Sequence, residues 1–398
     1  MRLKDICQLN PAYIGRNLDD TVSFVPMESL RNGNIDLKEI AFSEGKGKYT
    51  YFTDGDLLIA KVTPCFENGN IAVAENLKNG IGFGSSEIFV LRMNKDTLNK
   101  YMFYLCQTSH FKDSACATMC GVGGLKRISP LFFRTYESNS LSFAEQQKIV
   151  DYLDKKLATI DHRVEVLEKE KDAYARLKKS VINQAVTRGL NPNVPLKDSG
   201  IDWVGMIPEH WKVMRFKEFA KTIKGKQCDY YDSMQENMAV ILTVETLRQD
   251  VPNFYNYGII ADKNQLCTSN DIVVIWDGAG VGEFLKAKDG LLSSTIARID
   301  VDSNKVLKNY LWQWRYQIEY RLKSVPTGMG IPHLNPNLLN NFILPIPPLS
   351  EQEEIAKYLD EKCAKIDAAI ENIKKQIEAS KRLKKAIINE TISGKVNF

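Results

Sequence analysis

The sequence predicts an α+β fold in which two globular parts of mixed helix and strand are each followed by a long helix, the two helices pairing as a coiled coil. Three observations predict it. EQQKIVDYLDKKLATID (Glu145–Asp161) returns about 206 residues later as EQEEIAKYLDEKCAKID (Glu351–Asp367), and a repeat of that length marks a duplicated architecture. Both copies carry apolar residues at alternating intervals of three and four, the stripe of an amphipathic helix. Outside them the pattern changes to short apolar strands punctuated by turns.

Taken in chain order, the first globular part covers residues 1–142. Turns at FTDGD and FENGN flank the strand-like GDLLI (Gly55–Ile59), and NKYMFYLCQTSHF reads as helical. The first long helix covers 143–189. Its seam is Ile149, Leu153, Leu157, Ile160, Val164, Leu167, Tyr174, Leu177 and Val181, Ser142 with Glu145 three residues later fits a capping box, and Gly189 ends it. Residues 190–213 form a linker and lead-in rich in proline and glycine. The second part, 214–349, repeats the plan of the first. Met214–Phe219 answers Met1–Ile6, Asn270–Val274 answers Gly55–Ile59, and KNYLWQWRYQIEYRL replaces the earlier helical stretch. The second long helix covers 350–398, with Ser350 and Glu353 as its box and Gly394 at its end. From Glu145 to Asn183 and from Glu351 to Asn389, about 19 positions are identical without a gap, so the resemblance is duplication and not composition. Helices of about 45 residues, at 1.5 Å per residue, are rods of roughly 65 Å, and one apolar stripe on each calls for the other as partner.

Bulk properties bound the function. The chain has 398 residues, 44% hydrophobic and 26% charged, ordinary values for a soluble globular protein of two or three domains. No apolar run approaches a membrane span and MRLKDICQLN lacks a signal-peptide core, which predicts a cytoplasmic protein with no membrane partner. Eight cysteines without a CxxC pair are expected as reduced thiols. Lys+Arg against Asp+Glu is 16 to 15 over residues 1–143 and 17 to 17 over 190–343, so charge alone does not announce a nucleic-acid partner; a basic face can sit on a neutral domain.

Catalytic motifs are weak. Asn10-Pro11-Ala12-Tyr13 is one residue from the Asn-Pro-Pro-Tyr loop that holds a flipped base in amino-methyltransferases, yet no glycine-rich cofactor turn accompanies it. Gly278-Ala279-Gly280-Val281-Gly282 follows a strand like a dinucleotide turn, but the helix that should follow is missing, and a hairpin is the better expectation. Cys106, His110, Cys116 and Cys120 have spacings that fit no zinc site. The expectation is a protein without catalytic or metal-binding residues.

The two copies of EQxxIxxYLDxKxxxID with RLKKxxIN, the alternation of variable and constant parts, and TRGLNPNVPLKDSGIDWVGMIPEHWKV at 187–213 together resemble the specificity subunits of type I restriction-modification systems, over essentially the whole chain. The resemblance implies two target recognition domains, each reading one half of a bipartite double-stranded DNA site. It implies that the helices pair antiparallel, set the spacer and dock two modification subunits. S-adenosylmethionine, ATP and Mg would then belong to the modification and restriction/translocase subunits, with no cofactor and no catalysis in this chain. A coiled-coil adaptor without a nucleic-acid role is the alternative that the neutral globular parts suggest. Candidate DNA contacts are the cations and glycines near turns: Lys46, Lys48, Gly123, Gly124, Lys126 and Arg127 in the first part, and Lys224, Lys226, Gly328, Gly330 and His333 in the second. Identical positions off the helical seam are the candidate partner contacts: Glu145, Gln146, Asp154, Lys156 and Asp161, with Glu351, Gln352, Asp360, Lys362 and Asp367. Because Gly205–Val213 introduces the second part while the first opens at MRLKDI, the first is expected to be less firmly anchored.

Overall fold

The computed structural model describes residues 1–13, 15, 20–121, 124–249, 251, 254–324 and 332–396. The chain divides into two compact units, Met1–Glu170 with Ile373–Phe398, and Lys171–Asn372. The long helices, Phe143–Arg188 and Leu349–Ile392, therefore each give one end to each unit.

In the first unit two four-stranded sheets carry the globular part. One has Leu57–Ala60 and Ile88–Met93 at its centre, flanked by Cys7–Leu9 and Ile71–Val73, all antiparallel. The other places Thr21–Val25 parallel to Ile81–Gly84, with Lys38–Ala41 and Thr50–Thr53 outside. Leu57–Ala60 is wholly buried, as a strand covered on both faces must be. The helices Asn99–Gln107 and Ser109–Cys116 pack their Tyr101, Met102, Leu105 and Phe111 into one core with Ile149, Leu153, Leu157, Ile388 and Ile392 of the long helices. The start of the chain is firmly tied, contrary to expectation: the terminal ammonium donates to Ser138 O, Leu3 N–H to Tyr136 O, and Leu3 is fully buried.

The second unit repeats this topology. Ile272–Ile275 and Ile296–Val301 are the centre of one sheet, between Ala220–Lys224 and Phe284–Lys286. Met238–Leu242 lies parallel to Gly290–Leu292 in the other, with Tyr257–Ile259 and Leu266–Cys267 outside. The 190–213 segment is not a loose linker here. Leu196–Asp198 and Met206–Pro208 form a hairpin, and Lys212–Arg215 pairs with Ile343–Ile346. Ile207 and Trp211 are buried with Tyr310, Trp314, Ile182, Val186, Ile355 and Leu359.

Within each unit the helical segments pack antiparallel through their apolar stripes. In the first, Lys384 Nζ donates to both Asp161 oxygens at 2.7 Å and Arg163 reaches Gln376 at 3.5 Å. In the second, Lys178 Nζ donates to both Asp367 oxygens at 2.6 Å. Lys178 and Lys384 are equivalent in the repeat, as are Asp161 and Asp367, so one reciprocal ion pair is written twice. The seam departs from the expected one at its far end. Leu177 and Leu383 are 48% and 51% exposed, and Ile182, Ala185, Val186 and Ile388 carry the burial instead.

The first capping box forms: Ser142 N–H donates to Glu145 Oε2 at 2.8 Å and Glu145 N–H to Ser142 Oγ at 3.3 Å. The second helix starts earlier, at Leu349, with Gln352 N–H on Pro348 O, which puts Ser350 inside it. Pro347 and Pro348 stand just before it, where the N–H that proline lacks is not needed by the helix.

Candidate nucleic-acid interface and partner surfaces

In the first unit the chain leaving Leu57–Ala60 becomes an anchor for the glycine loop. Thr63 N–H donates to Lys126 O at 3.0 Å, its hydroxyl donates to Gly124 O at 2.7 Å, and the same hydroxyl accepts from Lys126 N–H at 3.0 Å. Arg127 bridges both Val62 and Cys120. Gly124 has φ +81°, a conformation that favours glycine. The Arg127 guanidinium forms a two-pronged pair with Glu87, Nη2 to Oε1 at 2.8 Å and Nε to Oε2 at 2.9 Å, and this contact holds the Glu87 carboxyl below its usual range. Lys126 is exposed.

The second unit builds the same anchor with other residues. Asp277, just past Ile272–Ile275, bridges His333 as Val62 bridges Arg127. Its carboxylate meets His333 Nδ1 at 2.6 Å and Lys224 Nζ at 2.8 Å. Burial pushes the Asp277 carboxyl up, but the His333 and Lys224 contacts outweigh it and the net shift is downward. Asp277 also lines an open cleft of about 420 Å3 with Tyr230, Thr243, Glu245, Phe254 and Asn256.

The candidate DNA contacts thus fall into groups. Gly124, Lys126 and Arg127 share one anchor, and Lys224 and His333 share another. Lys226 stands apart on Asp262 at 3.3 Å. Lys46 lies over the rings of Tyr13 and Phe42, and Lys48 over Tyr49. Gly123, Gly328 and Gly330 lie outside the described residues. Sequence reasoning missed Thr63, Glu87 and Asp277. The duplication carried a signal for the last, since aligning the strands puts Val62 against Asp277 where the loops put Arg127 against His333.

Two of the ten candidate partner contacts, Gln146 and Gln352, turn inward, which corrects the expectation for them, and most of the others bond within the chain. Gln146 and Gln352 are 2% and 0% exposed. Gln146 accepts from Leu98 N–H at 2.8 Å and donates to Asp96 O and Leu141 O at 3.1 Å; Gln352 accepts from Leu307 N–H at 2.8 Å and donates to Lys305 O and Pro347 O at 2.9 Å. Asp154 accepts from Tyr104 Oη at 2.5 Å and Lys100 Nζ at 2.6 Å, and Asp360 from Gln313 Nε2 at 2.9 Å. Asp161 and Asp367 form the helix-to-helix ion pairs already described. Glu145 and Glu351 diverge: the former caps its helix, while the latter accepts from Trp211 Nε1 at 2.8 Å and contacts His210 at 2.6 Å. Lys156 and Lys362 remain exposed, each over the ring of the tyrosine four residues before it.

The motifs set aside as non-catalytic have structural roles. Asn10, at φ +46°, exchanges two hydrogen bonds with the Val90 backbone, its Oδ1 accepting at 2.9 Å and its N–H donating at 2.7 Å. Gly278–Gly282 closes the hairpin between antiparallel Ile272–Ile275 and Phe284–Lys286. Cys106 is buried in the core, and among the described residues no cluster of histidine, cysteine or carboxylate side chains is arranged to hold a metal. Among the same residues no helix is long and apolar enough to cross a membrane.

Comparison with known proteins agrees in kind. Residues 208–379 match the family described as type I restriction modification DNA specificity domain. The specificity subunit of the type I restriction enzyme MjaVIII from Methanocaldococcus jannaschii is 36% identical over 186 residues, 46% of this chain and 42% of that subunit. The EcoAI specificity subunit of Escherichia coli is 25% identical across 97% of this chain and 82% of its own length. A solved chain from work on complex assembly and conformational transition of the type I R-M system shares the fold, with TM-score 0.78 at 17% identity, covering 98% of this chain and 96% of that one.

Proposed function

We propose a function from one premise: this chain belongs to the specificity subunits of type I restriction-modification systems. Each globular part reads one half of a bipartite, asymmetric double-stranded DNA site. The observation that carries this is the duplicated anchor, in which one fold presents Thr63, Lys126 and Arg127 in one unit and Asp277, Lys224 and His333 in the other. Identical scaffolds with different side chains at the same exit from the central strand suit two readers of two different sequences. Lys46, Lys48, Lys126, Lys224 and Lys226 are assigned to phosphates, which set register, while polar groups beside them face base edges.

The paired helices hold the two readers at a fixed spacing and dock two modification subunits, using Glu145, Lys156, Lys362 and the repeated exposed pairs Arg176–Leu177 and Arg382–Leu383. S-adenosylmethionine, ATP and Mg act in those and the restriction/translocase subunits, in the cytoplasm, and this chain supplies recognition and not chemistry. Methylome sequencing of a host carrying the assembled complex tests the reading, since it reports both half-sites and the spacer together. Removing one heptad from each helix is expected to change that spacer or prevent assembly; an unchanged site refutes the ruler. A complex that gives no sequence-specific, salt-sensitive shift of DNA leaves the adaptor role instead.

A further inference from the structure

We propose that Glu87 and Asp277 are electrostatic brakes, carboxylates that neutralise the cations at each anchor so that arbitrary phosphate backbone is not bound for its charge alone. The inference rests on the DNA-reading function above and adds specificity-determining residues to it.

The two clamps hold the equivalent Arg127 and His333, but with carboxylates from different places, since Asp277 corresponds to Val62 and Glu87 to Thr295. In one, a glutamate from the turn before Ile88–Met93 takes an arginine; in the other, an aspartate at the strand exit takes a histidine and a lysine. Charge neutralisation is what survives the change of side chains. Fold stability does not account for it, because Arg127, His333 and Lys224 are 52%, 51% and 42% exposed, and ion pairs at such surfaces contribute little. The carboxylates are the sheltered members, Glu87 at 30% and Asp277 at 18%, and both have lowered pKa values, so they are charged at neutral pH.

Non-specific affinity for duplex DNA grows with each cation available to a phosphate, and the dependence of log K on log salt steepens with it. A cation held by a carboxylate contributes less to that attraction, and the carboxylate itself repels phosphate. The near-equality of cations and anions in both globular parts follows if charge is balanced where DNA is met. The half-site then decides binding through groups that fit base edges.

The test uses the full chain assembled with its modification subunits. A random-sequence duplex pool yields an enriched motif, and anisotropy titrations across a salt series compare motif with unselected pool for wild type, Glu87→Gln, Asp277→Asn and the control Asp300→Asn, whose pair with Lys221 lies on a strand edge. Glu87→Gln and Asp277→Asn are expected to bind the unselected pool several-fold tighter, with a salt slope steeper by about 0.9 per released cation, and to lose motif preference in proportion; Asp300→Asn changes neither. Adding Arg127→Gln to Glu87→Gln, or Lys224→Gln to Asp277→Asn, is expected to return the slope toward wild type, which a variant that is merely misfolded would not do. Unchanged slopes overturn the brake. So does lost motif binding at unchanged pool affinity, which would make the carboxylate a base reader. A wild-type complex that binds no duplex and enriches no motif is a separate result and refutes the DNA-reading function itself.

Discussion

Replacing Gln352 by leucine removes a side chain of similar length whose three hydrogen bonds all go to main-chain groups. Leu307 N–H loses its acceptor, and Lys305 O and Pro347 O lose their donor. Leu307 precedes the helix Lys308–Gln313 and has no capping side chain of its own, so Gln352 supplies what a capping residue would. With the glutamine fully buried, water does not replace the lost bonds. Three bonds at a net value of about 1 kcal/mol each give a loss of about 3 kcal/mol, and an orphaned buried group costs about 1–3 kcal/mol in its own right, so a loss of at least about 3 kcal/mol is expected. A single melting temperature is a poor readout for a chain of two units; amide hydrogen exchange resolved by peptide is the better assay. Gln352→Leu is expected to deprotect the peptide around Leu307, and Gln146→Leu the one around Leu98, where the same three kinds of bond occur. Protection at Leu307 that falls by less than about tenfold, or about 1.4 kcal/mol, refutes the view that the glutamine is the key that seats the globular part on its helix.

Other outcomes follow from the same geometry. Asp367→Asn breaks a helix-to-helix pair whose carboxylate is 56% exposed and is expected to change stability by less than about 1 kcal/mol, as measured by urea unfolding. Asn10→Ala removes the strand cap on Val90 and is expected to cost about 1–2 kcal/mol while leaving methylation by the assembled complex intact; abolished methyl transfer with the fold retained would make the tetrapeptide catalytic. Glu319 is half-buried, and burial raises its carboxyl pKa despite the Phe284 N–H it accepts. A raised folded pKa favours the protonated form, so stability from this group is present at acid pH and lost as pH rises through the folded value. Glu319→Gln, which keeps the acceptor, is expected to raise the hydrogen-exchange protection of the peptide around Phe284 at pH 8 and to leave it unchanged at pH 4.

How much of this was legible in the sequence depended on range. The helices were readable because a stripe at three- and four-residue spacing and a Ser142–Glu145 box are local signals. The exposed Leu177 and Leu383 were not, because apolar spacing alone cannot tell which of Leu177, Val181 and Ile182 faces the partner helix. The sheets were legible only as strands. Pairing Thr21–Val25 in parallel with Ile81–Gly84 joins segments about 60 residues apart, and no local pattern encodes the partner. The anchors at Thr63 and Asp277 were hidden for the same reason: the loop that meets each strand exit lies about 60 residues further along the chain.

The corrected partner contacts bear on how one helix design can serve two different globular parts. Gln146 and Gln352 bind only backbone N–H and C=O groups, which every sequence offers at a helix start. Where the constant helix does address a side chain the partner differs, Tyr104 on Asp154 and Gln313 on Asp360, and a carboxylate accepts from either. The fully buried contact is therefore indifferent to sequence, and the side-chain contact needs only a donor. A globular part can then change nearly all its residues and still seat on the helix as long as its backbone takes the same turn before its first helix. Identity between the two copies off the seam reflects this requirement: most of those residues hold the chain to itself, while Lys156 and Lys362, with the apolar Leu177 and Leu383, stay exposed in both copies.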